Sequence, residues 1–152
     1  MKIGIISDTH GTLPLWVITL FKNLNLSGII HAGDIVDINT IIRLKEIAPL
    51  TAVKGNMDIK DRAPVTSVAS FDNIPGFSAY VLHDLYLLDI DPKAAGIQAV
   101  IYGHTHIPKI EWINDVLYFN PGSPVFPRGG FKESVGILEI KNDVITPFHH
   151  FN

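Results

Sequence analysis

The sequence predicts an α/β fold in which two sheets pack face to face with helices outside them. Three observations carry this expectation. The first 54 residues alternate β-prone runs with helical periodicity in the order β-α-β-α-β, which implies parallel strands joined by right-handed crossovers. The rest of the chain holds seven further β-prone runs, some joined by two-residue turn pairs suited to antiparallel hairpins. Residues able to bind metal recur where the strands end, at the edge where the loops of such sheets converge on a crevice.

Taken in order, Lys2 to Ser7 is a nearly continuous β-prone run whose Ile3, Ile5 and Ile6 indicate a central strand covered on both faces. It delivers Asp8-Thr9-His10 into a loop. Pro14 suits the first turn of a helix, and Leu15, Ile18, Leu20 and Phe21 give helical apolar spacing to about Asn25. Ser27-Gly28 turns the chain into the strand Ile29-Ile30-His31-Ala32, which Gly33-Asp34 ends. A second helix is expected over Asn39 to Ala48, with Ile41, Ile42, Leu44 and Ile47 as its buried stripe and Pro49 as its stop. Leu50 to Lys54 is the third strand, followed by Gly55-Asn56.

The second half predicts strands over Thr66 to Phe71, Ala79 to Leu82, Ala99 to Tyr102, Lys109 to Trp112, Val116 to Phe119, Ser134 to Ile140 and Val144 to His149. Only Asp91 to Ala95 suggests a helix, and a short one. Asn114-Asp115 and Asn142-Asp143 are the hairpin turns. His83 follows the second of these runs, and Gly103-His104-Thr105-His106 follows the third.

A chain of 152 residues with 47% hydrophobic content and positive mean hydropathy predicts one globular domain over residues 1–152. No apolar run reaches the roughly 18 residues of a membrane span, and the start lacks the apolar segment of a secretory signal, so no membrane partner and a cytoplasmic location are expected. The absence of cysteine excludes disulfides, a thiolate nucleophile and sulfur-ligated metal. A net charge of −3 argues against a broadly basic nucleic-acid groove while leaving room for a local basic patch. Trp16, Trp112 and Phe131 are candidates for an interface, a homo-oligomer among them, although burial is expected for at least two of the three.

Singly, each candidate ligand has an ordinary alternative. Asp8 and Asp34 also suit helix caps, Asn56 a turn and His83 a hydrogen-bonded core position, and an isolated His-x-His reads equally well as a polar loop. Capping alone, however, does not place histidines after several strands. His31, inside an apolar strand, suits a supporting or core role. His149 and His150 belong to a terminal strand or the surface, and Asp58 suits orientation of Asn56, acceptance of a hydrogen bond that supports the site, or a solvated turn.

Asp8-Thr9-His10, His31-Ala32-Gly33-Asp34, Gly55-Asn56-Met57-Asp58, His83, Gly103-His104-Thr105-His106 and Asn120-Pro121-Gly122-Ser123 resemble, in order, the motif series of the calcineurin-like metallophosphoesterases. The resemblance runs from Met1 to about Ser134 and is nearest to the small bacterial and archaeal phosphodiesterases, a type that includes the retromer subunit of vacuolar sorting. It implies a four-layer α-β-β-α sandwich with mixed sheets and a binuclear metal site at the sheet edge. By position, one metal would take Asp8, His10 and His106 and the other Asn56, His83 and His104, with Asp34 bridging both. Asp34, Asn56 and His104 would serve catalysis directly, and Asn56 and Arg128 would contact substrate, Arg128 also suiting a plain surface loop. The nitrogen and oxygen donors suit manganese, with iron, zinc, nickel or magnesium as other candidates. Two such ions activating a hydroxide for in-line attack on a small phosphate ester need no protein nucleophile.

Two departures bear on this expectation. Many superfamily members carry a proton-donating histidine where this chain has Met57, so substrates with good leaving groups are expected here. The second is His83-Asp84, where related phosphodiesterases often have His-Gly-His. The competing functions are an interaction scaffold of the retromer-subunit type, which carries a neutral residue at the bridging position, and a phosphomonoesterase or nucleotide phosphatase.

Overall fold

The computed structural model describes residues 1–59 and 66–152, and among them two five-stranded sheets stack face to face. The first sheet is built around β1 (Lys2–Ile6), paired in parallel with β2 (Gly28–His31), which pairs in parallel with β3 (Leu50–Ala52). On the other side of β1 lie the long antiparallel strands β9 (Ser134–Lys141) and β10 (Val144–Phe151). The second sheet runs in the order β4 (Val68–Ile74), β5 (Phe77–Leu82), β6 (Ala99–Ile101), β8 (Val116–Asn120), β7 (Lys109–Ile113). Its centre is parallel and its outer pairs antiparallel.

Both faces of β1 are buried. Ile3 and Ile5 meet Val81, Ile101 and Phe119 of the second sheet, while Ile6 faces the helices α1 (Leu15–Asn23) and α2 (Ile38–Lys45) through Val17, Phe21 and Leu44. Each such side chain, fully buried, contributes about 1.5–3 kcal/mol of transfer free energy. Asp37 caps α2 by accepting the Asn39 N–H at 3.0 Å, and basic residues occupy the last turn of both helices, where they complement the helix dipole. Asn114-Asp115 and Asn142-Asp143 form the two hairpin turns, with φ of 51°, 66°, 50° and 62°, the left-handed conformation that two-residue hairpins require. No helix among the described residues is long and apolar enough to cross a membrane.

The structure corrects four expectations. Asp91 to Ala95 forms turns rather than a helix: the Asp91 carboxylate takes the Ala94 N–H, and the left-handed Gly96 (φ 72°) ends the segment. The short helical element falls instead at Leu85–Leu87, as a 3-10 turn, and among the described residues this turn packs on the outer face of the second sheet through Leu85. In α2 the buried positions are Thr40, Ile41 and Leu44, while Ile42 is half exposed, because the helix lies on the sheet by a narrow stripe. Trp112 and Phe131 are also about half exposed, Trp112 on the edge strand β7 and Phe131 in the loop before β9, and Trp16 is only partly buried, stacked on His150.

Candidate metal centre

Asp8 follows β1, Asp34 follows β2, Asn56 follows β3, His83 follows β5, and His104 and His106 follow β6, so the two stacked sheets deliver all of them to one edge. The loops carrying them adopt an uncommon backbone. Asp8, His10, Asp34, His104 and His106 have φ between 45° and 70°, a region that L-residues enter only when their surroundings hold them there. Cross-loop hydrogen bonds do so: Asp8 N–H to Gly33 O (3.0 Å), His10 N–H to Asp34 O (3.0 Å), Gly103 N–H to His83 O (2.9 Å) and His104 N–H to the Asp8 carboxylate (3.1 Å).

The donor atoms fall into two groups. In the first, His106 Nε2 lies 3.2 Å from His10 Nε2 and 3.4 Å from Asp8 Oδ1. In the second, Asn56 Oδ1 lies 3.1 Å from both His83 Nε2 and His104 Nδ1. Asp34 stands between them, its Oδ2 3.8 Å from His10 Nε2 and its Oδ1 3.5 Å from His83 Nε2, so one carboxylate oxygen faces each group. Asp8, Asp34, His83 and His106 are buried, whereas Asn56 and His104 are exposed and open the second group to solvent.

The imidazoles are oriented from behind. His83 Nδ1–H donates to Ala32 O (2.8 Å) and His106 Nδ1–H to Phe126 O (2.7 Å); a carbonyl can only accept, so both Nε2 atoms present a lone pair to the site when the ring is neutral. Each lone pair then confronts further acceptors, Asp34 Oδ1 and Asn56 Oδ1 for His83, Asp8 Oδ1 for His106. Acceptors facing acceptors need a positive charge between them. Two ligands bound to a first-row divalent ion at about 2.1 Å lie about 3.0–3.4 Å apart, the spacing seen in both groups, so the donor set fits such ions.

Without a cation, protons take up part of that charge. Burial pulls the His83 pKa down, but the hydrogen bond to Asp34 and the field of Asp8 outweigh it and leave it above the ordinary value. For Asp34, burial pushes upward, and the His83 hydrogen bond, the Met57 N–H (2.8 Å) and the nearby imidazoles prevail, leaving its carboxyl low. Asp8 is raised, chiefly by burial. His31, fully buried beneath the site, is held neutral with its pKa depressed to about 3 by desolvation, and it meets Thr9 Oγ1 at 3.0 Å.

Three supporting groups hold these loops; the sequence makes Asp58 a candidate for such a role, whereas it does not single out Ser123 and Asn120. The Asp58 carboxylate accepts N–H groups from Val36 (2.6 Å), Gly55 (2.7 Å) and Ile35 (2.9 Å), tying the Asp34 loop to the Asn56 loop, and all three are backbone groups, none of them the Asn56 side chain. Ser123 Oγ–H donates to Asp8 O (2.8 Å), and Asn120 Nδ2–H to Gly103 O (2.7 Å), so the Asn120–Ser123 segment clamps the loops of the first group. Only their place in the motif series hinted at this. Gly33 is required by space as well as by its φ of 93°, because a Cβ there would lie 2.6 Å from His83 Nδ1.

The departures also have positions. Met57 is 54% exposed and contributes its backbone N–H, not its side chain, to Asp34. Asp84 caps the 3-10 turn by accepting the Tyr86 N–H at 3.0 Å. The Arg128 N–H bonds His106 O (3.2 Å), which fixes its backbone beside the first group with the residue exposed.

The sequence matches the profile of the calcineurin-like phosphoesterase superfamily domain over residues 1–143. A probable metallophosphoesterase of Methanocaldococcus jannaschii is 39% identical over 138 residues, covering 84% of this chain and 70% of the relative. The solved structure of an archaeal phosphodiesterase superposes with a TM-score of 0.80 at 30% identity, covering 99% of this chain and 100% of that one. Zinc-complexed Vps29 of Entamoeba histolytica shares the fold, with a TM-score of 0.77 at 19% identity over 99% of both chains.

Proposed function

The chain belongs to the calcineurin-like phosphoesterase superfamily, and we propose that it is a metal-dependent phosphodiesterase acting on small phosphodiesters through two divalent ions. The observation that carries this reading is Asp34, buried between the two donor groups with one carboxylate oxygen toward each. Asp8, His10 and His106 would hold one ion, Asn56, His83 and His104 the other, and Asp34 both. Manganese is the ion we assign, with iron, zinc, nickel and magnesium as the alternatives to be compared. When bound, two such ions would draw charge from the phosphoryl oxygens, acidify water and stabilise the departing oxygen.

The chain's own residues prepare that chemistry. His83 and His106 are aimed by Ala32 O and Phe126 O and need no reorientation on loading. Two carboxylates against two dications leave an excess of positive charge, which an anionic diester complements. Asn56 and His104, exposed at the second group, are the side chains we assign to substrate contact, with Arg128 as a further candidate at the rim. Met57 donates no proton from its side chain, so the leaving group must depart largely unaided by that position, which favours activated esters. The cysteine-free composition suits the cytoplasm, where we place the enzyme.

An interaction scaffold is the second reading, since Vps29 has the same fold; what favours the enzyme here is the anionic Asp34 at the bridging position, facing both donor groups. The test is hydrolysis of bis(p-nitrophenyl) phosphate and p-nitrophenyl phosphate by metal-stripped protein restored with manganese, nickel, zinc or magnesium, beside Asp34→Asn. Metal-dependent diester cleavage lost in the variant is expected. Folded, metal-loaded protein that cleaves neither ester would overturn the proposal, and preferential cleavage of the monoester would favour the phosphomonoesterase.

A further inference from the structure

A cavity of about 290 Å³ opens beside the second donor group, with Asn56, His83 and His104 at one end. Its walls are Val68 from β4, Leu82 from β5 and Leu87 from the 3-10 turn, and the exposed Lys54 and Ser67 stand at its solvent edge. A volume near the low end of the roughly 300–1,000 Å³ of small-molecule pockets suits one ring system, not a whole extended substrate.

The wall that closes this cavity follows from the His83-Asp84 departure. The Asp84 carboxylate caps the turn through the Tyr86 N–H (3.0 Å), and the Leu87 N–H returns to Asp84 O (3.0 Å), so an aspartate at this position folds the chain back directly after a donor histidine. Leu85 and Leu88 anchor the turn by packing on the outer face of the second sheet with Val100, Tyr102 and Val116. Leu87 does not join them. It stays 70% exposed at the mouth of the cavity, an apolar side chain beside a polar centre with no role in the core.

Resting on the two-metal phosphodiesterase reading above, we infer that this cavity is the subsite for one ester arm of the substrate, an aromatic or nucleobase ring packed against Leu87, Val68 and Leu82. The phosphate then lies over Asn56, His83 and His104, and Lys54 supplies a positive charge toward its oxygens. A second cavity of about 350 Å³, lined by Tyr86, Tyr102 and Ile107 among others, lies beyond Asp84 and includes none of the seven donors, which makes Tyr86 an internal control.

The experiment is calorimetric binding of phenylphosphonate and methylphosphonate to manganese-loaded protein, a readout independent of turnover. Wild type is expected to bind phenylphosphonate about 10-fold more tightly than methylphosphonate, the scale of a small apolar group in an apolar pocket. Leu87→Ala should cut that ratio to about 2–3, and Leu87→Trp, filling the mouth, should remove or invert it. Lys54→Met should weaken both ligands by a similar factor, and Tyr86→Ala should leave the ratio unchanged. Leu87 is exposed, so its variants retain the fold, which circular dichroism verifies. Equal affinity of wild type for the two phosphonates, or a ratio unchanged in both Leu87 variants, would overturn the subsite while leaving the phosphodiesterase standing. Failure of both phosphonates to bind the loaded protein would likewise overturn this inference, while the phosphodiesterase reading stands or falls separately by the diester-cleavage assay above.

Discussion

Asp58→Asn isolates the tie between the two loops that meet at the centre. The Asp58 carboxylate accepts Val36 N–H and Ile35 N–H on one oxygen and Gly55 N–H on the other. Asparagine keeps one oxygen and turns an amide group toward the third donor, so the bond to Gly55 is lost and an N–H is left facing an N–H. Hydrogen bonds to charged groups contribute about 1.5–3 kcal/mol each, so the substitution should cost about 2 kcal/mol. For a domain of this size that lowers Tm by about 4–8 °C. Gly55 precedes Asn56, so the second donor group should lose its register while the first, held by Ser123 and Phe126, keeps it. Manganese titration by calorimetry should then show one site weakened about 10–100-fold, the usual cost of removing a group that positions ligands, and the other within a few-fold of wild type. Two sites of wild-type affinity in Asp58→Asn would refute the claim that this carboxylate sets the distance between the loops, whatever the change in Tm.

Met57→His should raise the rate for dialkyl diesters more than for bis(p-nitrophenyl) phosphate, because only poor leaving groups need a proton; equal gains measured on both classes would contradict the assignment. Gly33→Ala should displace His83, whose Nδ1 would lie 2.6 Å from the new Cβ, and abolish manganese binding at the second group in titrations of the folded variant. His31 links stability to pH in the metal-free protein. Its folded pKa of about 3 lies below the ordinary 6.5, so the unfolded chain binds the proton first; the stability is present above pH 6.5 and is lost as pH falls toward 3, with a slope of up to about 1.4 kcal/mol per pH unit. Urea unfolding of His31→Asn across that window should show a correspondingly shallower dependence, and identical slopes would refute it.

Much of this architecture is legible in local pattern. Ile3, Ile5 and Ile6 announce a strand buried on both faces, and the Asn-Asp pairs announce the hairpins, because period and turn chemistry are encoded within a few residues. The seven donors are legible for a related reason: each follows a strand, and strand ends share an edge. What the sequence conceals depends on distant neighbours. The exposure of Trp112 is decided by β7 lying at the sheet edge, which the run Lys109 to Ile113 does not reveal. The 3-10 turn is too short to have a period, so Asp84 reads only as a missing glycine, although its carboxylate builds a wall of the cavity. Asp58 sits within three residues of one partner and more than twenty from the others, and only folding brings its three donors together.

The most direct test of the two-ion centre is the anomalous difference map of crystals grown from metal-stripped protein reloaded with manganese. Two peaks about 3.5–4 Å apart are predicted, one against Asp8, His10 and His106, the other against Asn56, His83 and His104, with an oxygen of Asp34 on each. A single peak at full manganese loading, or two peaks with Asp34 touching only one, would contradict the account.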